Sequence, residues 1–330
     1  MHLVLPGLAA DFGGYARASF PPAPALSHWL ARARVRDVAA TGPDTAACQL
    51  CGVAPALAAL AWLGDFGEPP HGYCLRLDPV HLRADTRGLV LFDALDAGLE
   101  EAEATALADS LRAEFERRGL RLRLAAPGRW YLETDDPATW PDLGNPAQQS
   151  GRPVRPPRAG TAGAWAGCLN EWQMILHDHP VNRARAEQRR PAINGLWPWG
   201  GGRLPEPGQA PARLQGSPVR PVWQGLARLH GSEYAVLPHA LPDAAACLSA
   251  RATTLTCIET LEASARTGDP LAWSEALEAL DRQLLPPLMK ARARVELLPL
   301  NGRAYLLHPL HRFAFWRRPR DYRDRLLTLA

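Results

Sequence analysis

The 330-residue chain carries 37 Lys and Arg against 34 Asp and Glu, a formal charge of +3. Its arginines alternate with acids, as in Glu114-Phe-Glu-Arg-Arg118 and Arg317-Arg-Pro-Arg-Asp321, so no phosphate-tracking stripe forms and no nucleic-acid partner is expected. No stretch approaches the roughly 18 uninterrupted apolar residues of a membrane span, and the first residues lack a signal peptide's basic leader and long apolar run, so a cytoplasmic protein with no membrane partner is expected.

The length suits one large or two medium domains. His2–Leu5 is a short apolar strand ending in Pro6-Gly7. Ala25–Val35 has helical spacing through Leu26, Trp29 and Leu30. Asp44 is placed to cap a helix over Thr45–Leu63, broken near Pro55. Cys48 and Cys51 form a Cys-x-x-Cys in this helical run. It lacks the second pair of a zinc ribbon and the strand-then-helix setting of a redox pair, so buried, reduced thiols are expected of the six cysteines.

The breaker cluster Gly64–Gly72 reads as a domain edge. Beyond it, Tyr73–Leu77 and Gly88–Phe92 read as strands. Glu100–Arg118 is an amphipathic helix closed by Gly119. Leu120–Leu124 and Trp130–Glu133 form a hairpin. This ββαββ block predicts a small α+β domain, followed by a Pro/Gly-rich connection over 134–162. The expected organisation is a discontinuous core domain, 1–66 and 160–330, with 67–159 inserted.

From Ala164 a helix runs to His177-Asp-His179-Pro180. Two imidazoles there invite a metal, yet i and i+2 on a helix diverge, so only an unwound end would bring them together. Val181–Arg190 is a basic helix carrying Asn182, Arg183, Arg185, Arg189 and Arg190. It is either a solvated face or an anion pocket, because guanidinium forks match phosphate and carboxylate. Ile193–Trp197 reads as a strand that enters Gly200–Gly202, where a side chain would be excluded by backbone angle or close approach. Trp197 and Trp199 share one face, as core packing or as pocket walls. Arg203 lies just beyond, within reach of an anion.

A Pro/Gly loop is expected to about Pro218. It is followed by a helix over Val222–His230, strands over Ser232–Leu237 and Thr253–Ile258, and a long helix over Asp269–Met289. Strands over Val295–Pro299 and Arg303–Leu307 come next, and Phe313–Pro319 closes the core. Strands alternating with helices predict an α/β sheet.

The stretch His179-Pro-Val-Asn-Arg-Ala-Arg-Ala-Glu-Gln-Arg-Arg-Pro-Ala-Ile-Asn-Gly-Leu-Trp-Pro-Trp-Gly-Gly-Gly202 resembles a motif of two related groups. One is the archaeal-type, cofactor-independent phosphoglycerate mutases of the alkaline-phosphatase superfamily. The other is a bacterial set called RpfE-type regulatory proteins, which Asn170–Asn182 and Phe315-Trp-Arg-Arg-Pro319 also resemble. The resemblance implies a mixed sheet core of alkaline-phosphatase-like type with the small domain inserted. It also implies a site in which two divalent ions activate a serine for phosphoryl transfer.

The ligands implied by the resemblance are largely missing. Pro6 stands where the first strand would end in a metal-binding aspartate, and Pro43 of Pro43-Asp-Thr-Ala46 stands where the serine would be. Cys257-Ile-Glu259 replaces His-Ile-Glu. Glu262 remains as a donor, whereas Arg266 has no lone pair to offer. Leu300-Asn301 replaces the late Asp-His pair, leaving His308 or His311 as the last histidine. No bound metal or other cofactor is therefore expected.

Three functions follow. The first is a mutase-like protein without its two-metal site, binding a phosphorylated or carboxylated metabolite, or a protein partner, in a regulatory role. The second is an active phosphatase or phosphotransferase with relocated ligands, from Glu262, Asp269, His308 or His311. The third is an interaction protein with Trp197 and Trp199 in its core. For a ligand pocket, Arg185 and Arg203 are nominated for the anion, with Arg183 or Arg190 in reserve, Asn182 and Asn194 for orientation, and Trp197, Trp199 and Gly200 for the wall. Arg76 of the small domain is expected to face the cleft.

Overall fold

The computed structural model describes residues 1–86, 88–135, 140–154, 164–217, 219–238, 241–247, 253–291, 293–313 and 321–328. They form two compact units, Met1–Ala54 with Glu206–Ala330, and Pro55–Pro205. The first unit opens with β1 (His2–Val4), β2 (Ala10–Asp11), α1 (Pro24–Arg32), β3 (Arg34–Asp37) and α2 (Pro43–Leu50). The second contains α3 (Leu57–Phe66), β4 (Tyr73–Asp85), β5 (Gly88–Phe92), α4 (Glu101–Arg117), β6 (Arg121–Ala126) and β7 (Arg129–Thr134). It continues with α5 (Pro146–Gln149), β8 (Pro153–Val154), α6 (Ala164–His177), α7 (Pro180–Glu187) and β9 (Gly195–Gly202). The chain then returns to the first unit with β10 (Arg213–Ser217), α8 (Pro221–His230), β11 (Glu233–Val236), α9 (Ala244–Cys247) and β12 (Thr254–Ile258). Last come α10 (Glu262–Thr267), α11 (Pro270–Ala279), α12 (Leu285–Lys290), β13 (Val295–Leu298), β14 (Arg303–Leu307), α13 (Arg323–Leu326) and β15 (Leu327–Thr328).

The first unit is built on a mixed seven-stranded sheet of order β11-β10-β12-β1-β13-β14-β3. From β11 to β13 all neighbours are parallel, and the β13–β14 and β14–β3 pairs are antiparallel. Central strands are apolar on both faces, as parallel strands covered by helices must be: Leu3, Val4, Cys257, Val295 and Leu297 are fully buried. The outermost strand, β3, is the opposite case, an Arg-Val-Arg-Asp edge exposed throughout, whose charges discourage further pairing. Trp29, Trp273, Tyr305 and Leu297 belong to one buried cluster.

The second unit is an antiparallel sheet organised around β4. This strand pairs with β7 through its first residues, with β5 through its last, and with β9 along the other edge. The amphipathic face of α4 (Leu107, Leu111, Phe115) packs with Trp172 and Leu176 of α6 and with Ile193 and Leu196.

Three departures from the expected elements bear on the architecture. Residues 55–66 and 164–205, expected in the discontinuous core, pack inside the second unit, because β9 pairs with β4 and both α3 and α6 pack on β9. The expected loop before Pro218 contains β10, whose Arg213–Ser217 pairs with both β11 and β12. The long helix over 269–289 is interrupted by a π turn at Leu280–Leu284 ahead of Pro286 and Pro287, since a proline supplies no N–H to an α-helical ladder. Cys48, Cys51, Cys74, Cys168, Cys247 and Cys257 are all buried and unbridged. The Phe315-Trp-Arg-Arg-Pro319 motif lies outside the described residues.

Candidate functional site

The nominated residues around the Trp/Gly element serve the second unit's own backbone. Asn182, 5% exposed, donates to the carbonyls of Leu176 (2.7 Å) and Ile193 (2.8 Å) and accepts from Ile193 N (2.8 Å). Asn194 does the same for β4, accepting from Leu82 N at 2.7 Å and donating to Leu82 O at 2.9 Å. Arg185, expected to hold an anion, is 1% exposed. Its guanidinium donates to Pro191 O (2.8 Å), Ala97 O and Glu103 Oε2 (2.6 Å). The arginine thus ties α7 to α4 and leaves no surface for a ligand, which corrects the anion-binding assignment.

Trp197 donates from Nε1 to Gly144 O at 3.0 Å, and Trp199 donates to Asp78 Oδ2 at 2.8 Å. Both rings are buried in one apolar cluster with Val80 and Leu91. Gly200 has φ +65°, and a Cβ there would lie 3.2 Å from Leu57 Cβ. At Gly202 it would lie 2.5 Å from Ala56 Cβ. Close approach to α3 therefore requires these glycines. Arg76, expected to face a cleft, is 6% exposed and forks onto Asp78 at 2.9 and 2.8 Å. Tyr131 and Trp199 lie on its guanidinium, each 5.0 Å away. Arg203 is exposed, as is Arg183, whereas Arg190 is half-buried and pairs with Glu103.

At the His177–His179 turn, His177 ends α6 and is exposed. His179 is the N-cap of α7 and accepts from Val181 N at 3.2 Å. Among the described residues, no group of three or more His, Cys, Asp or Glu is arranged to hold a metal ion. The relocated-ligand set is dispersed in the same way. Asp269 accepts from Leu271 N and Ala272 N as the cap of α11, and His308 Nδ1 accepts from Leu310 N.

A different constellation lies at the carboxyl ends of the parallel strands, where ligand crevices of open α/β sheets form. Ser217 of β10 and Ile258 of β12 are paired in register, so the residues just beyond them meet. Arg220 sits before α8 and Glu259 directly follows β12. Arg220 Nε donates to Glu259 Oε1, Nη1 to Asp44 Oδ1 at 3.2 Å, and Nη2 to Glu262 Oε2 at 3.3 Å. Asp44 comes from the first turn of α2. The Arg220 side chain is 14% exposed, against 19% for Asp44, 17% for Glu259 and 34% for Glu262. The loops close over this end because Gly7, φ +79°, lets the chain after β1 approach Leu261: a Cβ on Gly7 would lie 2.5 Å from Leu261 O.

Three carboxylates thus face one guanidinium. Burial would lower the Arg220 pKa, but Cys257, Asp44, Glu259 and Glu262 hold it above its ordinary value. Burial pushes the Glu259 carboxyl up to about 7, against the pull of Arg220 and with the help of Glu262. Burial also raises Glu262. Glu259 and Glu262 stand out in the sequence through the resemblance, and Asp44 as a cap. Arg220 carries no sequence signal beyond preceding Pro221, and only the β10–β12 register reveals it.

No family model matches the chain, and no curated protein matches it. Among solved structures, the PH0037 protein from Pyrococcus horikoshii is similar at 14% identity over 93% of this chain and 87% of that one, with a TM-score of 0.55. The two share a fold. A cofactor-independent phosphoglycerate mutase from Thermoplasma acidophilum matches at 18% identity over 93% of this chain and 89% of that one, with a TM-score of 0.38, too low to equate the folds.

Proposed function

We propose that this chain is a phosphoglycerate-mutase-like protein of the alkaline-phosphatase type that has lost the two-metal site and acts by binding. Its ligand would be a phosphorylated or carboxylated metabolite or a protein partner, in a regulatory role. The motif over 179–202 supports the family. The loss of metal chemistry rests on one observation: the Arg220 guanidinium occupies the space among Asp44, Glu259 and Glu262.

A pair of divalent ions does not fit this donor set. Each hard cation needs several oxygen or nitrogen donors, and an oxygen of each carboxylate here already accepts from Arg220. Pro6 and Pro43, at the positions the resemblance gives to a ligand and to the nucleophile, add no side-chain donor. Arg220 supplies instead a fixed positive charge that needs no metal. The test is metal analysis of the purified protein together with turnover of 3-phosphoglycerate. Substoichiometric manganese and zinc with no turnover are expected. Manganese-dependent isomerisation would overturn the reading.

A further inference from the structure

We propose that the first unit carries a binding site for a small amphipathic anion, an apolar body ending in one negative head, at the end of the sheet opposite the Arg220 cluster. A cavity of about 490 Å³ opens among Ala25, His28 and Arg32 of α1, Lys290 at the end of α12, and Leu307 and His308 at the end of β14. The register fixes its place. Leu307 pairs with Val295, the first residue of β13, so this is the amino end of the parallel strands. The Arg220 site lies beyond their carboxyl ends.

The lining is selective in two ways. Its walls are mainly apolar, including Pro286, Leu288 and Met289, and it contains no Asp or Glu among the described residues. Its polar groups are two permanent cations, Arg32 and Lys290, and two imidazoles, His28 and His308. Arg32 and Lys290 each sit in the last turn of a helix, where a basic residue offsets the helix dipole. His28, in the middle of α1, lies near the buried Asp281, and His308 accepts from Leu310 N through Nδ1, which leaves Nε2–H as that ring's donor. Cationic groups around an apolar void complement an anion attached to a hydrocarbon, and the volume lies within the roughly 300–1,000 Å³ range of small-molecule pockets. The site is independent of the proposed loss of metal chemistry, and metal analysis leaves it untouched.

Calorimetric titration of the full chain with octanoate, octan-1-ol and octylamine tests the proposal. Octanoate is expected to bind one per chain, with the alcohol and amine at least about tenfold weaker. Lys290→Glu, at an exposed position, is expected to weaken octanoate at least about tenfold, while lowering the melting temperature of the unliganded protein by no more than the few degrees that a helix-end charge accounts for. Ala25→Trp fills the cavity and is expected to abolish binding. Equal affinity for octanoate and octanol, unchanged affinity in Lys290→Glu, or no saturable octanoate binding would each overturn it.

Discussion

Arg220 Nη1 stands 3.2 Å from Asp44 Oδ1, although the two residues are 176 positions apart in the chain. The contact joins the segment entering α8 to the first turn of α2, and the same guanidinium reaches Glu259 and Glu262. Removing it leaves three partly buried carboxylates facing one another. Arg220→Met is expected to cost about 3–5 kcal/mol at pH 8, the usual penalty for orphaning buried charges. The loss should shrink near pH 5, where Glu259 takes up a proton. Urea denaturation at the two pH values checks both.

Two carboxyls give stability pH slopes of opposite sign. Burial raises Glu259 from 4.5 to about 7, so the folded state holds a proton that the unfolded state has released. Its contribution is full below pH 4.5 and is lost as pH rises toward 7. Glu296 is the converse. Burial would raise it, but hydrogen bonds from His2 and Arg36 (2.8 and 2.6 Å) bring it down to about 2. Its contribution is present above 4.5 and is lost as pH falls toward 2. Each shift corresponds to about 3 kcal/mol at most. Glu259→Gln is expected to flatten the profile from pH 5 to 7, and Glu296→Gln to flatten the acid limb. Denaturant midpoints across pH report both.

Arg185 separates a structural from a ligand role. With its donors on Ala97, Pro191 and Glu103, Arg185→Met should destabilise the second unit by about 3 kcal/mol or more. Affinity for any anion that the protein binds should not change. Loss of anion binding without loss of stability would reinstate the ligand role.

Gly7 tests the closure of the chain after β1 over the start of α10, where Glu262 lies. A side chain there meets backbone, Leu261 O at 2.5 Å and Glu262 Cα at 2.8 Å, at a φ that L-residues rarely adopt. Gly7→Ala is expected to cost about 3 kcal/mol or more, measured as a fall in the melting temperature.

What the sequence reveals and what it conceals divide along physical lines. The helix over Glu101–Arg117 and its hairpin are legible because their apolar spacing is local. The expected strand from Tyr73 stops at Leu77, whereas β4 runs on through Pro79 to Asp85, because β9 holds the proline-bearing segment in register. The exposed strand β3 has no apolar alternation to find. The sequence nominates Arg185 for an anion and Arg76 for a cleft; the burial and backbone carbonyls that bind them are tertiary facts. Arg220 is the extreme case, since its three partners lie 39, 42 and 176 residues away.

Lys290 is the only lysine in the chain, and its position is exposed. Among side chains, amine-directed chemistry therefore marks one, on the lip of the cavity beside α1. A fluorophore attached there would report from one known point without any substitution elsewhere in the protein.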